Sequence, residues 1–268
     1  MLLVVQHRTE YRYDGPVRSG LARLRLWPRE GAHQRVARWH VSIDGAVEQA
    51  RFEDAHGNAV ALVGVVPGAE RMVVAVDGEV DTLCEDGILG DAPGAPLWLY
   101  RRATELTAGG EGVRHVLAGF DASDALASLH SLSARIRGRV AYVAGTTGPA
   151  TTAEQSLSLG AGVCQDHAHV FVAACRVAGV PARYVSGYLR MNDRDDQDAT
   201  HAWAEAWIDG LGWTGFDVSN GYSPDGRYVR LAVGLDYRDA APVSGIVDAE
   251  RTETLDVSIS VIQRQQQQ

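Results

Sequence analysis

Turn-forming residues punctuate the first third of the chain at short intervals: Asp14-Gly-Pro16, Asp44-Gly45, His56-Gly-Asn58, Pro67-Gly68 and Asp77-Gly78. Glycine supplies positive φ without steric cost, proline presets φ, and Asp and Asn bond back to their own backbone, so each cluster reverses the chain. The segments between them carry strand patterns. Val17 to Trp27 and Val36 to Ile43 alternate with period two, as in Leu24 and Leu26 against Arg23 and Arg25, while Val60 to Val66 and Met72 to Val80 are β-branched runs. Short strands joined by such turns have to bury one face against another sheet. The expectation is an antiparallel β-sandwich-like module over residues 1–95.

Asp91-Ala-Pro-Gly-Ala-Pro96 closes that module. A different pattern opens a second domain, 96–268. Leu97 to Leu106 is a candidate helix, and Ser123 can cap another that carries Leu126, Leu129, Leu132 and Ile136 at helical spacing. Thr152 with Gln155 fits a capping box for a third. Gly160-Ala-Gly162 breaks it, and a fourth runs from Val163 to Ala178, closed by Gly179 with Pro181 beyond. Strands follow at Ala182 to Leu189, His201 to Ile208, Trp213 to Val218, Arg227 to Val233 and Leu255 to Ile262, ahead of a frayed Gln tail. Met191 to Asp198 reads as an acidic loop with no apolar anchor. Helices followed by antiparallel strands make the fold class α+β. No internal repeat is evident.

Charge limits the partners. All 25 basic residues are Arg and the net charge is −9, which argues against nucleic acid and anionic membrane. Met1 to Arg8 is too short and too soon polar for a signal peptide, and no apolar run approaches a membrane span. Cys84, Cys164 and Cys175 are odd in number and far apart, so a disulfide framework is not expected and a cytoplasmic location is.

One constellation makes a specific chemical statement. Cys164 opens the fourth helix after Gly160-Ala-Gly162, His201 begins a strand, and Asp217 follows in Gly215-Phe-Asp-Val-Ser-Asn-Gly221. A thiol needs a base to ionise it and a third group to orient the base. A helix N-terminus offers unpaired N–H groups and about half a positive charge, which favours thiolate and can receive an oxyanion. Gly160 and Gly162 would let the backbone turn and leave room for substrate at the sulfur.

Register supplies a second requirement. His201, Trp203, Glu205 and Trp207 alternate onto one strand face. Asp217 shares that face only if the following hairpin pairs residues whose numbers sum to an even value. A Gly210-Leu211 loop gives 421 and the wrong side. An Asp209-to-Leu211 loop gives 420, sets Asp217 opposite Trp203 and makes it diagonal to His201, within bridging reach.

Blander readings accompany each residue. A cysteine near a helix start is commonly structural, and Cys84 and Cys175 read as core. Cys164 with His167 at i, i+3 could bind zinc, but the spacing fits no common motif and a metal would consume the thiolate. His167 and His169 then pack or support. His7, His33, His40 and His56 are scattered, as surface and packing histidines are. Trp203, Trp207 and Trp213 either line the cleft or fill core.

Gly162-Val-Cys-Gln-Asp-His-Ala-His169, Gly179-Val-Pro-Ala-Arg-Tyr-Val-Ser-Gly-Tyr188, His201-Ala-Trp-Ala-Glu-Ala-Trp207 and Gly212-Trp-Thr-Gly-Phe-Asp-Val-Ser-Asn-Gly221 together resemble bacterial transglutaminase-like proteins. His7 to Val17 and Asp54-Ala-His-Gly-Asn58 are similar to the N-terminal region that accompanies this core. The resemblance implies a papain/transglutaminase-like core: a helical bundle with a Cys-bearing helix packed on an antiparallel sheet. It also implies Cys164 as nucleophile, His201 as base and Asp217 as orienting carboxylate. The Asp-rich loop 193–198 lacks the Gly and Glu spacing of an EF-hand, so no calcium-site signature of the animal transglutaminases is visible and neither cofactor nor metal is expected. Val218-Ser219 departs from the Pro-Thr common in the family and touches no catalytic group. The implied activity is cysteine-dependent acyl transfer, with hydrolysis of peptide or side-chain amide bonds favoured, and the implied partner is a peptide or protein substrate. Two rivals are protein-glutamine cross-linking to an amine, and a silent binding module.

Overall fold

The computed structural model describes residues 1–83, 86–91, 94–247 and 252–264. Six strands come first: β1 (Leu2–Tyr13), β2 (Gly20–Leu24), β3 (Gln34–Asp44), β4 (Ala46–Glu53), β5 (Ala59–Val65) and β6 (Arg71–Thr82), followed by the short β7 (Ile88–Gly90). A helical stretch then runs through α1 (Glu111–Leu117), α2 (Ala125–Arg139), β8 (Ala141–Tyr142), α3 (Ala153–Leu159), β9 (Ala161–Gly162) and α4 (Cys164–Val177). The chain finishes with β10 (Ala182–Leu189), β11 (Asp196–Gln197), β12 (His201–Ile208), β13 (Gly212–Phe216), β14 (Tyr228–Gly234), α5 (Tyr237–Ala240), β15 (Val243–Val247) and β16 (Glu253–Gln263).

The fold is α+β. One sheet has the order β11-β16-β1-β6-β3 and a second β15-β2-β5-β4. Their inner faces meet: Leu3, Val5, Val74, Val76 and Val261 of the first pack with Leu24, Ala61, Val63 and Val65 of the second in one buried cluster. This is the β-sandwich foreseen for the N-terminal strands. It is not confined to residues 1–95, however. β15 pairs with β2 and β16 pairs with β1 along its length, so the chain returns at its end to complete both sheets. β7, in turn, joins the other side and pairs with β13.

The third sheet has the order β14-β10-β12-β13-β7. β10, β12, β13 and β14 are almost wholly buried, and α4 lies on the face formed by Ala182, Ala204, Ala206 and Phe216, with Phe171 stacked on Phe216 at 5.0 Å. The alanines let the helix approach closely. The free edge of β14 is covered by the sandwich. Gln34 Nε2 donates to the Arg230 carbonyl (2.8 Å) while Arg230 N donates to Gln34 Oε1 (2.9 Å), and Asn58 makes the same pair with Val233 (2.7 and 2.9 Å). An edge that would otherwise template pairing with another chain is satisfied by two amides. Asn58 is held for this by Asp54, whose carboxylate accepts from Asn58 N and Nδ2 at 3.0 Å each.

Other expectations need adjustment. Leu97 to Leu106 forms only one 3₁₀ turn, Leu99–Arg101. The cap of α2 is Asp124, not Ser123, with Leu129, Leu132 and Ile136 fully buried beneath it. The Thr152–Gln155 capping box is present, with bonds of 3.2 and 2.9 Å. The acidic loop is anchored after all, through backbone: β11 pairs with β16, and Val261 N donates to Asp195 O at 3.1 Å. Cys84, the terminal Gln tract 265–268 and part of the 91–96 breaker lie outside the described residues. No helix among the described residues is long and apolar enough to cross a membrane.

Candidate active site

The sulfur of Cys164 owes its position to three local devices. Gly160 ends α3 in the left-handed region (φ +68°), a conformation glycine adopts freely. β9 then pairs in parallel with β8, setting Gly162 beside Tyr142. Finally Asp166, buried in the first turn of α4, accepts from Val163 N at 2.8 Å and from Thr147 Oγ1 at 2.6 Å. Gly162 serves this last contact. A Cβ there would stand 2.7 Å from Asp166 Cβ and 2.8 Å from Oδ2, so the missing side chain makes room for Asp166. The expected clearance for a substrate is not what this glycine provides.

His201 begins β12 beside the start of α4. The hairpin that follows pairs Ala204 with Phe216, Glu205 with Gly215, Trp207 with Trp213 and Ile208 with Gly212. Each pair sums to 420, leaving Asp209, Gly210 and Leu211 as the loop, so Asp217 continues on the His201 face. His201 Nε2 lies 2.6 Å from Asp217 Oδ2. That engagement leaves Nδ1 for the Cys164 thiol, whose proximity helps to raise the His201 pKa. Both residues line a cleft of about 450 Å³, together with Tyr142, Gln165, Tyr184, Arg194 and Tyr237. Cys164 is partly exposed there.

Asp217 is fully buried. Besides His201, its Oδ2 accepts from Tyr228 OH (2.6 Å) and Asn220 Nδ2 (2.7 Å), and its Oδ1 accepts from Asn220 N (3.2 Å). Burial opposes charge on both partners, yet their attraction and bonds outweigh it. Asp217 is held below the ordinary carboxylate value and His201 above the ordinary histidine value. The carboxylate therefore stabilises a positive charge placed on His201. Tyr228 and Asn220 were not singled out from sequence. Asn220 was within reach of it, since an Asp bonding the backbone N–H three residues on is a common local turn. Tyr228 reaches Asp217 only through the order of strands in the sheet.

The neighbouring histidines do something else. His167 Nδ1 is bonded to Ser219 Oγ (2.8 Å) and Nε2 to the Val140 carbonyl (2.9 Å), so both ring nitrogens tie α4 to flanking segments. Burial lowers its pKa. His169 Nε2 accepts from Tyr237 N at 3.1 Å, and burial pushes its pKa down to about 3. Cys175 is fully buried, and its thiol is pushed well above the ordinary value by desolvation. Of the tryptophans, Trp203 packs with Val185, Tyr228 and Val233, and Trp213 lies under the Arg183 guanidinium at 3.8 Å. Trp207 packs edge-on against Trp213 at 5.8 Å. Those contacts make all three packing residues. His7, bonded to Tyr188 OH (2.8 Å) and Thr9 (2.7 Å), joins the sandwich to the core sheet, and His56, bonded to Tyr100 OH (3.1 Å), joins it to the 3₁₀ turn Leu99–Arg101.

Sequence and fold are both similar to those of known proteins. Residues 114–218 match the family model of the transglutaminase-like superfamily, and residues 3–81 match the bacterial transglutaminase-like N-terminal region. An uncharacterised protein of Mycobacterium tuberculosis is 31% identical, covering 96% of this chain and 91% of its own. The chain belongs to the transglutaminase-like superfamily. A relative from Mycobacterium leprae, likewise uncharacterised, is 26% identical over 96% of this chain and 97% of its own. Among solved structures, a candidate cysteine protease from Cytophaga hutchinsonii superposes with a TM-score of 0.78 over 100% of this chain and 92% of that one, at 21% identity. That likeness is one of fold. In the superfamily core of this chain, the helix bearing Cys164 packs on the antiparallel sheet bearing His201 and Asp217.

Proposed function

We propose that this chain is a cysteine-dependent acyl-transfer enzyme, with Cys164, His201 and Asp217 as its catalytic triad, that hydrolyses peptide or side-chain amide bonds. The observation that carries the reading is one imidazole bonded to a buried carboxylate and sharing a cleft with a partly exposed thiol. His201 Nδ1 takes the proton of Cys164, and the carboxylate of Asp217 favours the resulting imidazolium. The thiolate attacks the amide carbonyl carbon. Unpaired N–H groups in the first turn of α4 receive the oxyanion. Collapse breaks the C–N bond, and the imidazolium proton passes to the leaving amine. The Cys164 thioester that remains is attacked by water, which gives a proton to His201; the acid departs and the thiol is restored.

A reducing, cytoplasmic setting suits the unpaired Cys164 and Cys175. A net charge of −9 favours a peptide or protein partner over nucleic acid or an anionic membrane.

Turnover of fluorogenic amide peptides by the native chain, absent in Cys164→Ala, is the expected result. In the presence of excess primary amine the free acid should remain the main product. An amine adduct as the main product would reassign the activity to cross-linking. Turnover equal in native and variant would remove Cys164 from the chemistry.

A further inference from the structure

A second cavity, of about 630 Å³, lies beside the reaction cleft and is larger than it. Its floor is the outward face of the four-stranded sheet, where Ile246 pairs across to Leu21 and Arg23 to Leu62. The outward face of a sandwich sheet is ordinarily polar. Here Ile246 is 81% exposed and Leu21 49%. Contiguous apolar exposure beside a groove marks a binding surface.

Two links join this groove to the sulfur. Tyr237 lines both cavities and forms the wall between them. Gln165, the neighbour of Cys164, donates to the Gly148 carbonyl (3.4 Å), next to Pro149 on the groove wall. A chain lying in the groove is thereby placed next to the cleft that holds the thiol.

The charge of the groove selects its occupant. Among the described residues its lining includes Arg23 and Arg238 and no carboxylate. Arg23 makes no hydrogen bond or ion pair among the described residues. Arg238 pairs with Glu105 at 2.9 Å, but both side chains are more than half exposed, so that pair is weak and exchangeable. Two guanidinium groups flanking an apolar floor fit a hydrophobic side chain adjacent to a carboxylate.

We infer that this groove binds the acyl-donor polypeptide as an extended chain, with an apolar side chain on Leu21 and Ile246 and a neighbouring acidic side chain between Arg23 and Arg238. The inference rests on the cysteine chemistry proposed above for its place in a reaction, and it narrows the substrate class to apolar–acidic polypeptide segments. It also gives the sandwich a role: β2 and β15 supply the recognition surface, and α4 and β12 supply the reacting groups.

The test separates binding from chemistry. Fluorescein-labelled peptides carrying repeated Leu-Glu or Leu-Lys pairs are titrated into the Cys164→Ala chain and followed by anisotropy. Leu-Glu peptides should bind about tenfold or more tightly than Leu-Lys peptides. Arg23→Glu should reverse that order, and Ile246→Asp should weaken Leu-Glu binding about tenfold. Equal affinity for the two peptides, or an order unchanged in Arg23→Glu, overturns the inference. So does a native dimer, seen by sedimentation, that Ile246→Asp dissociates, because the groove would then be a contact between copies. Iodoacetamide labelling of Cys164 in the Arg23→Glu chain, with sulfur intact, should match the native rate. Peptide selectivity without Cys164 reactivity would retain the groove and defeat the proposed chemistry; reactivity without selectivity would do the reverse.

Discussion

Asp217→Asn is expected to lower kcat on an amide peptide by about 10³ to 10⁴-fold with little change in KM. An amide keeps the volume but cannot stabilise an imidazolium, and it can turn an N–H toward Nε2, leaving the ring in the wrong tautomer. The drop should come with a pH signature. With the carboxylate in place, burial opposes charge on His201 but Asp217 outweighs it, so the imidazolium persists above the ordinary value of 6.5. Its contribution to stability is complete below pH 6.5 and fades as pH rises through the raised folded value. Asp217 is held below its ordinary 3.8, so its contribution is complete above pH 3.8 and fades as pH falls through the folded value. The pair thus stabilises most between those limits. In Asp217→Asn the alkaline limb of kcat/KM should move to lower pH. A kcat within tenfold of native, with an unmoved limb, would remove the carboxylate from the mechanism.

The second large effect concerns the fold. Glu205 is fully buried on β12 between two guanidinium groups: Arg183 Nε at 2.5 Å, and Arg230 Nε and Nη2 at 2.7 and 3.0 Å. Glu205→Ala would leave both cations uncompensated away from water. A destabilisation of about 3–5 kcal/mol is expected, read as a lower urea midpoint at unchanged slope. Burial works against the Glu205 charge, but Arg183 and Arg230 overcome it and hold the carboxyl at about 2 against an ordinary 4.5. Its stabilisation is therefore complete above pH 4.5 and is lost as pH falls from 4.5 toward 2. A midpoint for Glu205→Ala equal to native at pH 7 would show that the arginines find other partners. The cluster matters to the site because Glu205 and His201 are on the same face of one strand, four residues apart.

The legible parts of this molecule are those whose signals are local. β10 runs between Pro181 and an acidic loop, α4 is bracketed by Gly162 and Gly179, and α3 carries its capping box; each was readable because neighbours in sequence determine it. The hairpin register was readable because side-chain alternation leaves only odd loops compatible with Asp217 on the His201 face. β1 carries no clear apolar alternation because its buried positions include His7, Thr9 and Glu10: Glu10 is neutralised by Arg8 and Arg12 of the same strand, and the long-range partner of His7, Tyr188, is revealed only by the folded chain. The helix expected over 97–106 fails for a similar reason. The Tyr100 carbonyl, which would serve a helix, accepts instead from Arg176 Nε at 3.0 Å, and its ring packs on Trp213. The return of β15 and β16 to the sandwich has no local signature at all. At the site, thiol, imidazole and carboxylate were nameable from their order and spacing, whereas Tyr228 required the neighbourhood of β14 and β10.

The most direct test of the account measures iodoacetamide alkylation of individual cysteines at neutral pH by peptide mass spectrometry, in the native chain and in His201→Ala. Cys164 should react at least about a hundredfold faster than the buried Cys175, and His201→Ala should remove most of that advantage. Labelling of Cys164 no faster than Cys175, or a rate indifferent to the loss of His201, would contradict the claim that this sulfur and this imidazole act as one unit.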